Sequence, residues 1–334
     1  MSEVSRVNAA VDVDVLIVGA GPVGLYGAYY AGFRGLSVAL VDSLPEAGGQ
    51  VTAMYPEKLI FDVAGFPAIK GRDLVSGLVA QAAAFEPLYL LGRQATALQH
   101  ESDGQLTVTA DDGTAIRCRA VIISGGIGTF TPRQLPTGSE YENRGLCYFV
   151  PSLVEHTGRD IVIVGGGDSA FDWALNLEPI ARSVTLVHRR PAFRAHAHTV
   201  AQVRSSRTEI ITPAQVTAVR GVDGVEEVEI NVDGEQRILP AQTLIAALGF
   251  IANLGPLKDW GMTVVAHRHI PVDTTMLTDL PAVFAAGDIA DYPGKVRLIA
   301  TGFGEVATAV NNAAVLIDPS AHLFPGHSSE AVPA

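Results

Sequence analysis

Residues 19–24, Gly19-Ala-Gly21-Pro22-Val-Gly24, follow an apolar run at 13–18 and open a stretch of small residues with helical character. In such a turn the first glycine permits a tight bend, and the second lets a diphosphate reach backbone N–H groups. The third lets helix and strand pack closely, while the positive end of the helix favours the anion. Asp42 ends the next apolar run, residues 36–41. A carboxylate there accepts hydrogen bonds from both hydroxyls of an adenosine ribose and disfavours a 2′-phosphate. The expected ligand is a dinucleotide.

A second turn repeats the first. Residues 161–164 are apolar and lead into Gly165-Gly-Gly167-Asp168-Ser169-Ala170, and a further run at 184–187 ends at His188. The offsets 165 − 19 and 188 − 42 both equal 146, so two nucleotide-binding βαβ units stand in tandem. Where the first unit has its acid, the second has His188, Arg189 and Arg190, with Arg194 close behind. Guanidinium groups fork onto phosphate oxygens, so the second site reads as NADP(H). Two dinucleotide sites in one chain imply a tightly held flavin and an exchanging nicotinamide, hence a flavin-dependent oxidoreductase.

These sites need a scaffold, and the pattern supplies one. Residues 105–110 and 114–119 flank Asp111-Asp112-Gly113, and residues 225–232 and 235–239 flank Asp233-Gly234; both read as β-hairpins. Each precedes an apolar closing strand ending in glycine, at 121–126 and 244–249, and residues 283–288 form one more strand. The expected fold is α/β: two doubly wound, Rossmann-like nucleotide-binding domains with β-hairpin crossovers. The NADP domain, 127–249, is inserted into a discontinuous FAD domain formed by 1–126 and 250–334.

Composition sets the outer limits. Of 334 residues, 48% are apolar and 17% charged, enough for a large core and too apolar for a disordered chain. The net charge of −12 argues against a nonspecific grip on nucleic acid or an anionic membrane. The uncharged run 15–33 carries five glycines and a proline in a strand–turn–helix pattern, so a membrane span is not expected. Acids near the N-terminus occupy the place of a signal peptide's apolar core, and a cytoplasmic location is expected. Cys118 and Cys147 are too few for a disulfide framework. No acid or cysteine cluster joins the pairs His196/His198 and His267/His269, so no metal site is expected.

GAGPVG, GGQVTAMYPEK, GGGDSA, HRRPAFRA and FAAGDIAD, in this order, resemble the thioredoxin-reductase-like branch of the flavoprotein disulfide reductases, over about residues 12–329. Thioredoxin reductases carry a redox Cys-x-x-Cys just before the second glycine turn; Phe149 and Ser152 occupy those positions here. Without a dithiol, electrons cannot leave by disulfide exchange. The chain therefore more closely resembles the thioredoxin-reductase-like ferredoxin–NADP(+) reductases, which lack the pair and add a C-terminal extension, here ending His327-Ser328-Ser329.

The resemblance implies tightly bound, non-covalent FAD and exchanging NADP(H). It also implies reversible hydride transfer from NADPH to flavin N5, then single electrons to ferredoxin or flavodoxin. Asp42 would hold the adenosine ribose, Gln50 would lie along the flavin, and Tyr55 would stack on one ring face. Ala95 and Phe130 would offer backbone near the FAD, and Asp288 would bond the ribityl or phosphate portion. His327 would cover the other ring face, with Ser329 at the ring edge. No side chain acts as a nucleophile or acid in this scheme, so no catalytic residue is assigned. A homodimer is implied as well. A reductase of small quinones or flavins on the same fold is the alternative, and a non-enzymatic FAD-binding redox sensor a weaker one. An acidic ferredoxin would need a local basic patch, for which Lys58, Lys70 and Arg72 are candidates.

Overall fold

The structure, a computed structural model, describes residues 11–126 and 128–327. By internal contacts the chain divides into two compact units, Met1–Thr129 with Ala252–Ala334, and Phe130–Ile251. The two crossings fall in a ribbon of paired strands, Thr129–Pro132 and Phe250–Asn253.

After a two-residue strand, Val11–Asp12, the first unit continues with β1 (Val15–Val18), all four residues buried, as expected of a central parallel strand covered on both faces. The glycine turn then leads into α1 (Pro22–Phe33), with proline where its missing N–H costs nothing. Next come β2 (Val38–Asp42), the short α2 (Gln50–Met54), α3 (Gly71–Ala83) and β3 (Leu88–Leu91). An antiparallel layer follows in β4 (Ala95–His100), β5 (Leu106–Ala110) and β6 (Ala115–Cys118), before β7 (Ala120–Ile123) re-enters the parallel sheet.

The second unit repeats this plan. It contains β8 (Leu146–Cys147), β9 (Asp160–Val164), α4 (Asp168–Leu177), β10 (Ser183–Val187), α5 (Ala197–Arg204) and β11 (Glu209–Ile211). Its antiparallel layer is β12 (Ala214–Arg220), β13 (Glu227–Val232) and β14 (Glu235–Pro240), and β15 (Thr243–Ala246) closes the sheet. The chain then returns to the first unit as β16 (Val283–Ala285) and the 19-residue α6 (Ile299–Ile317).

The two parallel sheets run β16-β7-β1-β2-β3 and β8-β15-β9-β10-β11. In each, the strand before the glycine turn is central, flanked by the closing strand and by the strand that ends at Asp42 or Val187. Side chains alternate between two cores: Val15 and Ile17 face one, Leu16 and Val18 the other. Each crossover has three strands where the sequence suggested a hairpin. The additional strands, β4 and β12, both carry a register shift, between Ala95 and Ala97 and between Val216 and Ala218. A bulge breaks the period-two alternation by which strands are read. Asp233 (φ 51°) and Gly234 (φ 96°) both lie left-handed, the turn that the Asp-Gly pair specifies.

Among the described residues, no helix is long and apolar enough to cross a membrane. The apolar run at 15–33 is divided between β1 and α1.

Candidate cofactor sites

The first glycine turn is shaped by its neighbours. Gly19 has φ +112°, and a Cβ there would fall 2.7 Å from the Ser124 carbonyl oxygen. A Cβ on Gly24 would lie 1.9 Å from the Gly19 carbonyl oxygen, so strand and helix pack too closely for any side chain. Gly21 differs. Its backbone, φ −70° and ψ −179°, is open to any residue, and a Cβ there meets nothing within 4 Å. The fold itself gives no reason for glycine at 21.

Asp42 braces this turn. Its Oδ2 accepts the Ala20 N–H at 2.7 Å and its Oδ1 the Leu44 N–H at 2.8 Å. Burial outweighs both bonds and raises its pKa above the ordinary carboxylate value. The Arg93 N–H donates to the Asp42 carbonyl at 2.9 Å, and Ala95 starts β4 two residues later. The Gly48 N–H donates to the Ala20 carbonyl at 2.8 Å and so brings α2, with Gln50 as its first residue, to the same turn.

Tyr55 caps α2. Burial first, then the charges of Asp288 and Asp62, push its phenol up to about 12, so the hydroxyl stays protonated and available as a donor. Asp288 stands in the short turn Gly287–Ile289, and its own pKa is raised, chiefly by burial. The structure thus brings Gly19, Gly21, Pro22, Gly24, Asp42, Gln50, Tyr55, Ala95 and Asp288 into one unit. Phe130 lies on the crossing strand Thr129–Pro132.

The C-terminal extension is tied down elsewhere on α1. Arg34, its C-cap, donates to the carbonyls of His322 (2.8 Å) and Leu323 (3.2 Å) and to Asn311 Oδ1 (3.1 Å). Twelve residues of helix separate this anchor from the glycine turn, about 18 Å. His327 packs edge-on against Phe324, with ring centroids 5.1 Å apart, and both residues are exposed. Ser329 lies outside the described residues.

The second turn follows the same rules. A Cβ on Gly165 would fall 2.4 Å from the Ala247 carbonyl oxygen and 2.9 Å from the Ala170 Cβ. Gly167, φ −102° and ψ 179°, has nothing within 4 Å of its Cβ position. Asp168, Ser169 and the fully buried Ala170 form the first turn of α4. Asp168 Oδ1 accepts the His196 N–H at 2.9 Å, and the Gly166 carbonyl accepts the Arg194 N–H at 2.7 Å. The segment after β10 therefore folds back across the turn.

His188 does not project with its neighbours. Its ring lies where a Cβ on Gly166 would be, at 2.3 Å, and packs against Phe193 with centroids 5.6 Å apart. It supports the turn from behind, and burial, followed by Arg189, Arg190 and Arg194, lowers its pKa. Those three guanidiniums are exposed and form no ion pair among the described residues. The Arg190 carbonyl is fixed by the Thr212 hydroxyl at 2.6 Å.

Neither cysteine is placed for redox exchange. Cys118 ends β6 and Cys147 ends β8, in different units, and burial pushes each thiol up to about 12. Phe149, at the first of the two positions where thioredoxin reductases carry cysteine, stacks on Phe250 with centroids 5.0 Å apart and planes 4° from parallel.

Residues 13–313 match the pyridine nucleotide-disulphide oxidoreductase family. The chain belongs to it. A ferredoxin–NADP reductase of Nocardioides sp. is 64% identical across 96% of this chain and 98% of its own length. One from Thermus thermophilus is 48% identical across 96% and 98%. Among solved structures, the thioredoxin reductase of T. acidophilum aligns with a TM-score of 0.77 and 27% identity, covering 91% of this chain and 98% of its own. The solved neighbour is thus a thioredoxin reductase, while the more similar sequences are ferredoxin–NADP reductases.

Some contributors were not apparent in the sequence. Ser124 donates its hydroxyl to the Gly19 carbonyl at 2.9 Å. Its position at the end of the closing strand, before Gly125-Gly126, was the available signal. Lys295, Tyr292 and Glu305 carried no motif at all.

Proposed function

We propose that this chain is an FAD-dependent ferredoxin–NADP(+) reductase. The observation that carries the reading is the pair of unlike cradles. Each has a glycine, Gly21 or Gly167, that the fold does not require; one is followed by an acid and the other by exposed arginines that form no ion pair among the described residues. That difference suits one adenosine without and one with a 2′-phosphate. FAD, when bound, supplies the exchange between a two-electron hydride and single electrons.

The chain's own groups do the rest. Backbone N–H groups at the start of α1 receive the FAD diphosphate, Asp42 accepts the ribose hydroxyls, and Gln50 lies along the flavin. Tyr55 covers one ring face as a neutral phenol, and Asp288 bonds the ribityl or phosphate portion. Ala95 and Phe130 contribute backbone, and by the family resemblance His327 would cover the remaining ring face, of its own flavin or of a partner copy's. Residues 165–170 take the NADPH diphosphate, while Arg189 and Arg190, with Arg194 beside them, take its 2′-phosphate. Nucleophilic side chains have no part in this scheme.

The exposed Leu323, Phe324 and His327 on a tail anchored at Arg34 suit a second copy of the chain, and the proposal includes a homodimer. The electron acceptor is ferredoxin or flavodoxin, in the cytoplasm. Lys70 and Arg72 both pair with Glu57, so the basic patch offered to an acidic partner is partly neutralised.

Steady-state NADPH oxidation with ferredoxin or flavodoxin, compared with free FMN and a small quinone, tests this reading. We expect the protein acceptors to be reduced at micromolar concentration with kcat/KM about 10-fold or more above the small acceptors. Faster turnover of quinone or free flavin would make the chain a small-acceptor reductase.

A further inference from the structure

Beneath the Gly287–Asp288 turn lies a buried ionic network that the proposed chemistry does not use. Glu305, on α6, and Lys295 have side chains only 5% and 2% exposed and are in direct contact. The same Glu305 oxygen, Oε1, accepts the Tyr292 hydroxyl at 2.6 Å; the other, Oε2, accepts the Gly287 N–H at 2.7 Å. The Lys295 ammonium also sits 5.4 Å from the centre of the Tyr292 ring. Gly287 itself is left-handed, φ +80°, and its Cα lies 3.3 Å from where a Cβ on Gly302 would be. α6 therefore holds this turn by close backbone approach and by a charged hydrogen bond.

Desolvating two opposite charges is costly, and the pair is often no more stable than an apolar replacement. A role for the charges themselves is a better account of their presence here. Lys295 is the principal group opposing the burial that raises the pKa of Asp288, ahead of Arg297, while Glu305 acts in the opposite sense. The charge of the network thus reaches Asp288, the acid whose charge acts most strongly on Tyr55.

We propose that Glu305, clamped by Lys295 and Tyr292, is a positioning residue that fixes Gly287–Asp288 against the FAD and sets the cofactor's affinity and reduction potential. This rests on the assignment of the first cradle to FAD. Glu305 donates nothing to substrate; it acts through the Gly287 N–H and through the field at Asp288.

The test uses the full-length protein stripped of FAD and titrated with FAD by flavin fluorescence, followed by potentiometry of the reloaded protein. Glu305→Gln keeps the shape and removes the charge. It should weaken FAD about 10- to 100-fold, as loss of a charged hydrogen bond does. It leaves Lys295 uncompensated and should raise the potential of bound FAD. Lys295→Met should lower that potential, because it leaves Glu305 uncompensated. Tyr292→Phe removes a single hydroxyl and keeps the fold; its expected effect on FAD affinity is about 2- to 10-fold. Opposite signs for Glu305→Gln and Lys295→Met support the proposal, since a purely structural role would not separate them. Unchanged affinity and potential in both, or shifts of the same sign, overturn it, and Tyr292→Phe decides if either variant fails to fold. Failure of the wild-type protein to bind FAD at all would instead refute the cofactor assignment.

Discussion

Replacing Arg189 and Arg190 together by alanine is expected to weaken NADPH about 10- to 100-fold and to leave NADH nearly unchanged. Losing the charge-assisted contact to phosphate costs about 1.5–3 kcal/mol in all, and NADH lacks the group that the two arginines meet. Both arginines are exposed and make no ion pair among the described residues, so their removal opens no cavity and strands no buried partner. The turn behind them is independently supported by the His188 ring beneath Gly166 and by the Arg194 N–H on the Gly166 carbonyl. A comparison of KM for the two nucleotides, or direct binding of 2′,5′-ADP, checks this. Equal losses for NADPH and NADH would place the arginines outside the adenosine site.

The second large effect separates two glycines of the same turn. Gly24→Ala forces a Cβ to 1.9 Å from the Gly19 carbonyl oxygen, which is backbone and cannot move aside cheaply. The FAD-binding unit should lose stability and cofactor together, in the range of the larger single-site effects, about 3 kcal/mol or more. Gly21→Ala adds the same methyl group where the protein has room and the backbone is unstrained. The FAD-free protein should melt as the wild type does, within about 0.5 kcal/mol, while FAD affinity falls about 10-fold or more. Thermal melts of FAD-free protein beside FAD titrations read the two apart. If Gly21→Ala binds FAD normally, the diphosphate does not cross this turn.

How much of this was visible beforehand follows from which forces are local. The tandem turns, the parallel strands and the discontinuous unit were legible because β1 and β9 are continuous apolar runs punctuated by glycine. The Asp-Gly turn at 233–234 was legible for the same reason: it needs left-handed backbone that few other pairs adopt. β4 and β12 were missed because a bulge near the start of each spoils alternation. The direction of the His188 ring was not readable either. It depends on Gly166 leaving a hole and on Phe193 lining it, contacts that spacing alone does not encode. Glu305 escaped because its three partners, Gly287, Tyr292 and Lys295, lie 18, 13 and 10 residues before it in a turn-rich stretch that meets it only after α6 packs. The tail was legible as an extension, but its anchorage depends on Arg34, almost 290 residues earlier in the chain.

The central claim is that one chain holds both a flavin and a nicotinamide in working relation. Anaerobic titration of the FAD-loaded protein with NADPH, followed in the visible flavin band, tests it most directly. We predict loss of the oxidised flavin absorbance with one NADPH consumed per FAD, and a much weaker response to NADH at equal concentration. A flavin band that persists in excess NADPH would contradict the account.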